Sequence, residues 1–449
     1  MGPTCSLRLL RTLGVSLVPS QMTFQKGPSV FSLMPETAQH PHSLSPLLYH
    51  PEFRFFIIAR FFYTMSLRMV ATVVAYQLFQ ITRSSFSIGI SGLSEFVPVF
   101  FLALYAGYLI DRSDKRTLLL KGILSYSLCV AGLVVLTMPQ MAQVLSRSSL
   151  PVFFYGIIFC TGVIRAFAGP TSSAIIAQLV PRNILHLASA ISSSSFLIAS
   201  IVGHASAGLF IGWFGVHATF VIILAYVLLA ALLLSRIPKK PVVHNPVGVR
   251  AWDSVKEGLS FVFRNKIMLG AISLDLFAVL FGGAVALIPE IADRILKVGP
   301  QGFGLLNAAI DIGSAVTLLF NTFFPLRRRQ GQILLFAVFG FGLCIIVFGL
   351  SSFFWSAFLA LLVAGMLDGI SVVIRGTILQ LTTPDQMRGR VSAVNSMFIN
   401  SSNELGQFES GFTARMLGTV PAVLFGGFMT TLVVIVTWWR APGLRKFEY

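Results

Sequence analysis

Charged residues lie within several long apolar segments of this chain, and their types suggest ion pairing and proton transfer. One segment carries Arg60 and Arg68, which with Thr64 recur at every fourth position and therefore share one face of a helix. Another segment carries Arg165 near its middle. Because ionisable groups are costly to bury in apolar surroundings, they indicate a functional site by default.

Acidic residues occupy comparable positions later in the chain. Asp368 lies 203 residues after Arg165 (368 − 165), and Asp275 lies 215 residues after Arg60 (275 − 60). Opposite charges at such positions could pair across a shared cavity, since pairing offsets the cost of burial. The alternative is structural ion pairing within each half, such as Asp368 with Arg375. For Arg60, a further alternative is that its side chain extends to the headgroups.

Four carboxylates in apolar segments are candidates for carrying protons, because burial favours the protonated form. They are Glu95, Asp275, Asp311 and Asp368. His204 is a weaker candidate, since such a histidine is more often a packed polar residue. A polar face in residues 391–414, containing Ser396, Asn400, Asn403 and Gln407 at helical spacing, either lines the cavity or packs against the other half. The predicted cavity set is Arg60, Arg68, Glu95, Arg165, Asp275, Asp311, Asp368, Arg375, Asn400 and Glu404.

The composition indicates that these charges lie in a membrane protein. Of the 449 residues, 55% are hydrophobic and only 11% are charged, against about a quarter charged in soluble proteins. The apolar runs are continuous and about twenty residues long, which matches helices crossing roughly 30 Å of hydrocarbon. A membrane β-barrel would show shorter, alternating segments. The sequence therefore predicts an all-α membrane protein.

The apolar runs predict twelve transmembrane helices in two six-helix halves. They lie near 53–80, 86–110, 117–138, 150–178, 186–212, 216–236, 266–290, 303–324, 331–350, 353–382, 391–414 and 419–439. The predicted domains are a disordered cytoplasmic extension at 1–50, a first half at 51–236, a cytoplasmic linker at 237–265 and a second half with a basic tail at 266–449. Residues 1–21 faintly resemble a signal peptide, but an unstructured extension or a later start at Met22 or Met34 is the simpler interpretation. Within the linker, residues 250–264 have the spacing of an amphipathic interfacial helix.

The distribution of basic residues predicts the orientation of the chain. Seventeen lysine and arginine residues lie in one set of alternate loops, at 112–121, 182, 236–266, 327–329 and 388–390. Only four lie in the other set, namely Arg83, Arg147, Arg294 and Lys297. The positive-inside rule then places both termini in the cytoplasm, in a multi-pass protein of the inner membrane. Since the net charge of +17 is spread over these loops rather than gathered in one patch, we expect no nucleic-acid partner.

The two halves also resemble each other in sequence. A shift of 203 residues without gaps places 162–215 on 365–418 and matches Pro181 with Pro384. The same shift matches Gly203, Gly208 and Gly215 with Gly406, Gly411 and Gly418, and it carries helix ends onto helix ends. Parallel repeats related by an axis along the membrane normal are typical of transporters that bind substrate at the midplane.

A short motif between the second and third predicted helices strengthens this interpretation. The stretch from Gly107 to Arg116 reads GYLIDRSDKR, and it resembles the cytoplasmic signature of the major facilitator superfamily. The resemblance implies a cytoplasmic gate between the halves, formed by Gly107, Asp111, Arg112, Lys115 and Arg116. The equivalent stretch in the second half, 325–329, keeps only the charges.

Within that superfamily, residues 93–116 and 384–418 are similar to the enterobactin exporter and macrolide efflux branch. The resemblance extends over residues 50–440 and implies a proton-coupled exporter of small amphipathic organic molecules. One departure is that drug antiporters often carry Gly-Pro in the fifth helix, whereas this chain has Gly203-His204. An importer or lipid flippase of the same fold, and an intramembrane receptor or enzyme, are the alternatives.

Catalytic and cofactor motifs are missing from the sequence. It contains no Walker-type phosphate loop, so ATP is not expected to drive the protein directly. The four cysteines are widely spaced, and they predict neither a disulfide framework nor a metal site. We therefore expect no enzyme activity and no cofactor, with a small molecule, protons and the lipid bilayer as partners of a monomer.

Overall fold

The computed structural model describes residues 50–146, 148–241, 251–326, 328–384 and 387–448. Within these ranges the side chains of residues 104, 108, 111, 142 and 251–255 are not described. The predicted disordered extension therefore lies outside the described residues, apart from His50.

Twelve long or medium α-helices make up most of the described chain, and they are numbered here in chain order. They are α1 Pro51–Thr82, α2 Ser85–Arg112, α3 Lys115–Leu136, α4 Leu150–Ala174, α5 Leu185–Ser235, α6 Ala251–Arg264, α7 Lys266–Phe281, α8 Gly299–Phe323, α9 Gln330–Leu350, α10 Phe354–Thr382, α11 Arg388–Leu417 and α12 Thr419–Arg440. Short helical turns lie at Met141–Val144, Ile176–Leu179, Arg182–Ile184, Ala284–Leu287, Ile288–Glu290, Ile291–Ile295 and Pro442–Arg445.

Helix α5 contains the fifth and sixth predicted helices in one run of 51 residues. The chain breaks at Gly215, whose φ of 79° and ψ of 172° are not helical and suit a residue without a Cβ. After this break, His217 lies 3.2 Å from Thr137 at the end of α3, whereas the carbonyl of Ser235 accepts from Arg116 at the start of α3. The second limb of α5 therefore runs the length of the bundle alongside α3.

Ten helical segments of the described chain are long and apolar enough to cross a membrane. This count takes α5 as one segment and leaves out α11, whose average composition is not apolar. Yet α11 runs from Arg390, which pairs with Glu257 of α6, to Gly411, which packs on Ser85 of α2. The multi-pass all-α membrane fold is confirmed, while the number twelve stays a prediction that depends on α5 and α11.

The loops define two ends of the bundle. The end that carries the loop at 83–84 is called the Arg83 end, and it also holds the loops at 137–149 and 351–353. The opposite end carries the loop at 113–114 and is called the Asp114 end, with the loops at 324–329 and 383–387. Because successive helices alternate in direction, every helix can be placed by these ends.

Helix packing within and between the halves follows a regular pattern. In the first half α1 packs on the first part of α5, and α4 packs on α2 and α3. In the second half α10 packs on α8 and α9, while α7 packs on α11 and α12. The two main contacts between the halves are α2 with α11 and α5 with α8. Helix α6 packs on α11 through buried Val262, and its position at a membrane interface stays a prediction.

Candidate functional site

The central ion-pair cluster joins three helices around Arg165. The guanidinium of Arg165 on α4 hydrogen-bonds the carboxylate of Glu95 on α2, within the first half. It also lies 3.7 Å from the carboxylate of Glu404 on α11, in the second half. Gln407 donates to Glu404 over 3.2 Å, one turn along α11. Arg165 is therefore shared by two carboxylates, one from each half.

Close packing of α2 on its neighbours holds this cluster in place. Gly162, one turn before Arg165, contacts the backbone of Glu95, where an added Cβ would lie 2.7 Å from the carbonyl oxygen. Gly92 contacts α11 in the same way, 3.1 Å from the carbonyl oxygen of Glu404. Both side chains that face Arg165 are mostly buried, with 15% of Glu95 and 12% of Glu404 exposed. Since glycines let the backbones approach, the three helices meet at the level of the charges.

A second cluster lies wholly within the second half. Arg375 on α10 forms an ion pair with Asp275 on α7, and it donates to Ser371 one turn earlier. Asp368 lies close enough to interact electrostatically with Arg375 and Asp311. The side chains of Arg375 and Asp275 are 13% and 8% exposed, so this pair is well buried.

A third polar contact joins the halves through Asp311 on α8. Ser200 of α5 donates to the carboxylate of Asp311 over 2.7 Å, and His204 lies 3.6 Å from the same oxygen. Gly208, one turn beyond His204, packs against α8, where an added Cβ would lie 2.7 Å from Cα of Gly304. The polar contact and the close glycine contact thus lie along one seam between α5 and α8.

At the Arg83 end, ionic and polar contacts join the two halves. Arg83 pairs with Asp293 over 3.0 Å, and Ser85 donates to Glu290 over 2.5 Å. Arg294 bonds Glu290 over 2.6 Å and also donates to the carbonyl of Arg83 over 2.8 Å. Each of these bonds except Arg294 with Glu290 crosses from the first half to the second. They hold the halves together at this end.

Several glycines near the Asp114 end have no neighbour that an added Cβ would touch. An added Cβ at Gly107, Gly169, Gly376 or Gly389 would meet nothing within 4 Å. By contrast, Gly89, Gly208 and Gly411, which lie toward the Arg83 end, are packed against the opposite half. The close glycine contacts of Gly89, Gly208 and Gly411 between the halves thus lie toward the Arg83 end.

The loop that carries the gate motif is organised by Asp114. Its carboxylate caps α3 by accepting from the amides of Arg116 and Thr117 and from the Thr117 hydroxyl. It also accepts the amide of Lys240, 3.1 Å away, and so ties the loop to the segment after α5. Burial opposes ionisation of Asp114, but these hydrogen bonds together lower its pKa below the usual value.

The predicted gate residues are only partly described. The side chain of Asp111 lies outside the described residues, so its role in the gate stays a prediction. Arg116 donates to the carbonyl of Ser235 over 2.6 Å, which joins the loop to the end of α5. Gly107 is exposed, and Lys115 begins α3. Asp114 is not among the predicted gate residues, although an aspartate directly before a helix is a recognisable N-cap signal.

In this structure the charges at equivalent positions have other partners, and their pairing with each other in another state stays a prediction. Arg165 pairs with Glu95 and Glu404 rather than with Asp368, and Asp275 pairs with Arg375 rather than with Arg60. The sequence repeat relates positions by the symmetry of the halves, but side chains pair with whichever charge the packing brings close. Of the other predicted residues, Arg68 lies 5.6 Å from the Phe196 ring centroid, and Asn400 is exposed on α11.

Similarity to known sequences decides which family the chain belongs to. The sequence profile of the transmembrane secretion effector family matches residues 42–448. The chain belongs to this family of the major facilitator superfamily. It is 25% identical over 409 residues to the enterobactin exporter EntS of Shigella flexneri, covering 90% of this chain and 95% of the relative.

Solved structures agree with this family assignment at the level of the fold. The D-xylose-proton symporter superposes with a TM-score of 0.71 at 12% identity, covering 90% of this chain and all of that one. The nucleoside transporter NupG superposes with a TM-score of 0.69 at 14% identity, covering 88% of this chain and all of that one. Family membership makes this chain a secondary transporter rather than an intramembrane enzyme.

Proposed function

We propose that this chain is a proton-coupled exporter of small amphipathic organic molecules, of the drug or siderophore type, working by alternating access. The observation that carries the proposal is the Arg165 cluster, in which Glu95 and Glu404 share one guanidinium. Two carboxylates beside one cation leave one negative charge in excess. A proton can neutralise that excess, because like charges in apolar surroundings disfavour double ionisation.

The position of the cluster connects proton binding to movement of the halves. Glu404 is bound less tightly to Arg165 than Glu95 is, and it belongs to the opposite half. When a proton neutralises Glu404, its attraction to Arg165 on α4 is lost, and with it an ionic link between the halves. In the state that is open at the Arg83 end, the substrate would leave and a proton from outside would bind Glu404. Release of that proton to the cytoplasm, in the state that is closed at the Arg83 end, restores the pair with Arg165.

Asymmetry between the two ends supports alternating access. The halves are bonded at the Arg83 end by Arg83 with Asp293 and by Ser85 with Glu290. Four glycines near the Asp114 end, Gly107, Gly169, Gly376 and Gly389, have open surroundings. Such an arrangement is expected of one of two states of a transporter whose halves rock about a central site. With the Asp114 end in the cytoplasm, as the basic loops favour, this state would receive substrate from inside the cell.

The relatives support the outward direction of transport. The relative reported above is an enterobactin exporter, and it matches this chain over nearly its whole length. Import of the substrate, or lipid flipping by the same fold, would contradict this proposal. The proposed location is the cytoplasmic membrane with both termini inside, and the proposed working unit is a monomer.

Transport into vesicles tests the proposal. Purified protein is reconstituted into proteoliposomes, and enterobactin is used as the probe because the relatives export it. We expect enterobactin to move against its concentration gradient only when a pH gradient is imposed. We also expect the pH gradient to dissipate faster in these proteoliposomes than in empty liposomes. Enterobactin transport that does not depend on the pH gradient would refute proton coupling. If no member of a wider panel of amphipathic compounds is moved either, the exporter proposal is wrong.

A further inference from the structure

The C-terminal segment after α12, residues 441–448, folds back onto the beginning of α9 at the Asp114 end. Leu444 is fully buried in a cluster that also contains Leu334 of α9. The amide of Gly331 donates to the carbonyl oxygen of Phe447 over 3.1 Å. An added Cβ at Gly331 would lie 3.2 Å from the carbonyl carbon of Arg445, so the two backbones are in direct contact. The C-terminal segment is therefore fixed to the start of α9.

This contact brings two pairs of basic residues together. Arg328 and Arg329 directly precede α9, whereas Arg445 and Lys446 belong to the C-terminal segment. Arg329 is two residues before Gly331, whose added Cβ would nearly touch the backbone of Arg445. Since neighbouring Cα atoms are about 3.8 Å apart, the Cα atoms of Arg329 and Arg445 lie within about 13 Å of each other. Two arginines that are distant in sequence are therefore neighbours in the fold.

Both arginines lie on the side of the second half where Phe336 of α9 is exposed. The guanidinium of Arg445 lies over the ring of Trp438, 5.1 Å from its centroid. Trp438 in turn packs against Phe336, with ring centroids 5.8 Å apart. Arg329 precedes Phe336 by seven residues, about two helical turns, which places it on the same face at the start of α9. The two cations thus share a face as well as an end of the bundle.

The surface next to these cations, toward the Arg83 end, is apolar and exposed. Phe336 is 63% exposed, and Val436 and Trp439 of α12 are 51% and 79% exposed. In a membrane protein, exposed apolar side chains of spanning helices face the lipid tails, and tryptophan is typical of the headgroup level. The arginines therefore lie at the lipid border of the bundle rather than near its centre.

None of the four cations forms an ion pair within the described part of the chain. Arg328, Arg329 and Lys446 are exposed, and Arg445 is half-buried. The acidic residue of the C-terminal segment, Glu448, is exposed and also lacks an ion pair there. Four positive charges against one negative charge leave an excess of three. Because stacking on a tryptophan uses only the face of a guanidinium, the N–H donors at its edge can still bind an anion.

We propose that Arg329 and Arg445, with Arg328 and Lys446 beside them, bind the phosphate headgroup of an anionic phospholipid of the surrounding bilayer. Guanidinium groups present paired N–H donors that match two oxygens of a phosphate. A soluble anion would contact the cations alone, whereas a lipid also covers the exposed ring of Phe336 with an acyl chain. The positive-inside rule accounts for basic residues in the loop before α9, but it does not require the C-terminal segment to fold back beside them. The excess of positive charge favours a lipid with two phosphates, such as cardiolipin.

Lipid binding to the purified full chain tests this site without substrate or gradient. Delipidated protein in detergent is titrated with cardiolipin, phosphatidylglycerol and phosphatidylcholine, and bound lipid is counted by native mass spectrometry. We expect the affinity to fall in that order, because the net negative charge of the headgroup falls in the same order. Arg329→Gln with Arg445→Gln should weaken cardiolipin binding by roughly tenfold or more and leave phosphatidylcholine binding unchanged. Cardiolipin should also raise the unfolding temperature of the wild type more than that of this double variant.

The matched control is Lys121→Gln with Arg182→Gln, which removes two exposed cations near the Asp114 end of the first half. This control should bind cardiolipin as the wild type does. If the variant of Arg329 and Arg445 does not fold, Arg328→Gln with Lys446→Gln removes the same charge from exposed positions and should also weaken cardiolipin binding. Equal affinity of the wild type for cardiolipin and phosphatidylcholine overturns the proposal. An equal loss of cardiolipin affinity in the control, or no loss in either variant of the site, also overturns it.

A titration with inorganic phosphate distinguishes a lipid headgroup from a soluble anion. We expect phosphate to bind the wild type far more weakly than cardiolipin does, because phosphate makes no contact with the apolar surface around Phe336. Phosphate that binds as tightly as cardiolipin, and that loses this affinity when Arg329 and Arg445 are replaced, would make this a site for soluble anions and refute the lipid assignment. None of these measurements involves a transported molecule, so their outcome is independent of the proposed exporter function.

Discussion

Arg165 and Glu404 belong to opposite halves, and their charged groups lie 3.7 Å apart where α4, α2 and α11 meet. This contact is an ionic link between the halves near the middle of the bundle. Because Arg165 is also held by Glu95, the link can be broken at Glu404 without leaving the arginine unpaired. The first predictions concern this link and its neighbours.

Replacing Glu404 by glutamine should abolish proton-driven transport while substrate exchange between equal pH compartments continues. A neutral amide imitates the protonated carboxyl, so the variant can change state but carries no proton. Transport into vesicles with and without a pH gradient measures proton-driven transport and substrate exchange separately. Glu409→Gln is the matched control, since Glu409 bonds only Ser410 and Thr413 of its own helix among the described residues. Gradient-driven transport that survives in Glu404→Gln would show that another group carries the proton.

Breaking the buried pair of Arg375 with Asp275 should strongly destabilise the second half. Arg375→Leu leaves the carboxylate of Asp275 buried without its partner, which costs about 3–5 kcal/mol. The double variant with Asp275→Leu should recover part of this loss, because Asp275 then no longer remains buried without a partner, although Asp368 still lacks the nearby charge of Arg375. Thermal unfolding in detergent measures the differences. Arg390→Leu removes the more exposed pair with Glu257 and should cost only about 0–1 kcal/mol. Equal losses at both sites would contradict the burial of the Arg375 pair.

Adding a side chain at Gly208 should force α5 and α8 apart at the Arg83 end. A Cβ there would lie 2.5 Å from the Pro300 carbonyl oxygen, which is too close without a backbone shift. In Gly208→Val, spin labels at Gln140 and Ser352, two exposed loop positions of opposite halves at this end, should move farther apart. Gly156→Val is the control, because an added Cβ there meets nothing within 4 Å. An unchanged label distance in Gly208→Val would mean that this seam does not set the state of the protein.

Removing the carboxylate of Asp114 should destabilise the protein at neutral pH but not in strong acid. Asp114→Ala loses the cap of α3 and the bond to Lys240, and a lost cap typically costs about 0.5–2 kcal/mol. Since the folded pKa of Asp114 is below the unfolded value of about 3.9, its stabilisation is complete above that pH and disappears as the pH falls through the folded pKa. Unfolding temperatures of variant and wild type should therefore converge below about pH 4. Ser113→Ala is the control, and a pH-independent difference would argue against the charge of Asp114 as the cause.

The orientation predicted from the basic loops can be tested by labelling single cysteines. A cysteine at Lys256 on α6 should react with an impermeant reagent only from the cytoplasmic side. A cysteine at Lys297, before α8, should react only from the outside. The native cysteines are replaced first, because Cys160 is exposed. Labelling of both positions from the same side would refute the orientation.

The sequence does not specify which charges pair, and the reason is physical. Arg165 and Glu95 could be recognised as costly charges in apolar segments, and Glu404 as part of the more polar segment at 391–414. Their association depends on glycines such as Gly92 and Gly162, which let α11 and α4 approach α2 at that level. A shift along the repeat identifies equivalent positions, and equivalent positions of two halves need not face each other. The repeat alone therefore does not specify the partner of Arg165, which in this structure pairs with Glu95 and Glu404.

The sequence by itself determined the membrane class, the bundle of long helices and the superfamily, because these follow from local properties. Apolar run length sets whether a helix can span the bilayer, and the stretch from Gly107 to Arg116 is contiguous. Tertiary structure decided which charges pair and which end of the bundle is joined. Those facts depend on the register and spacing of helices distant in sequence, which no local pattern of residues specifies.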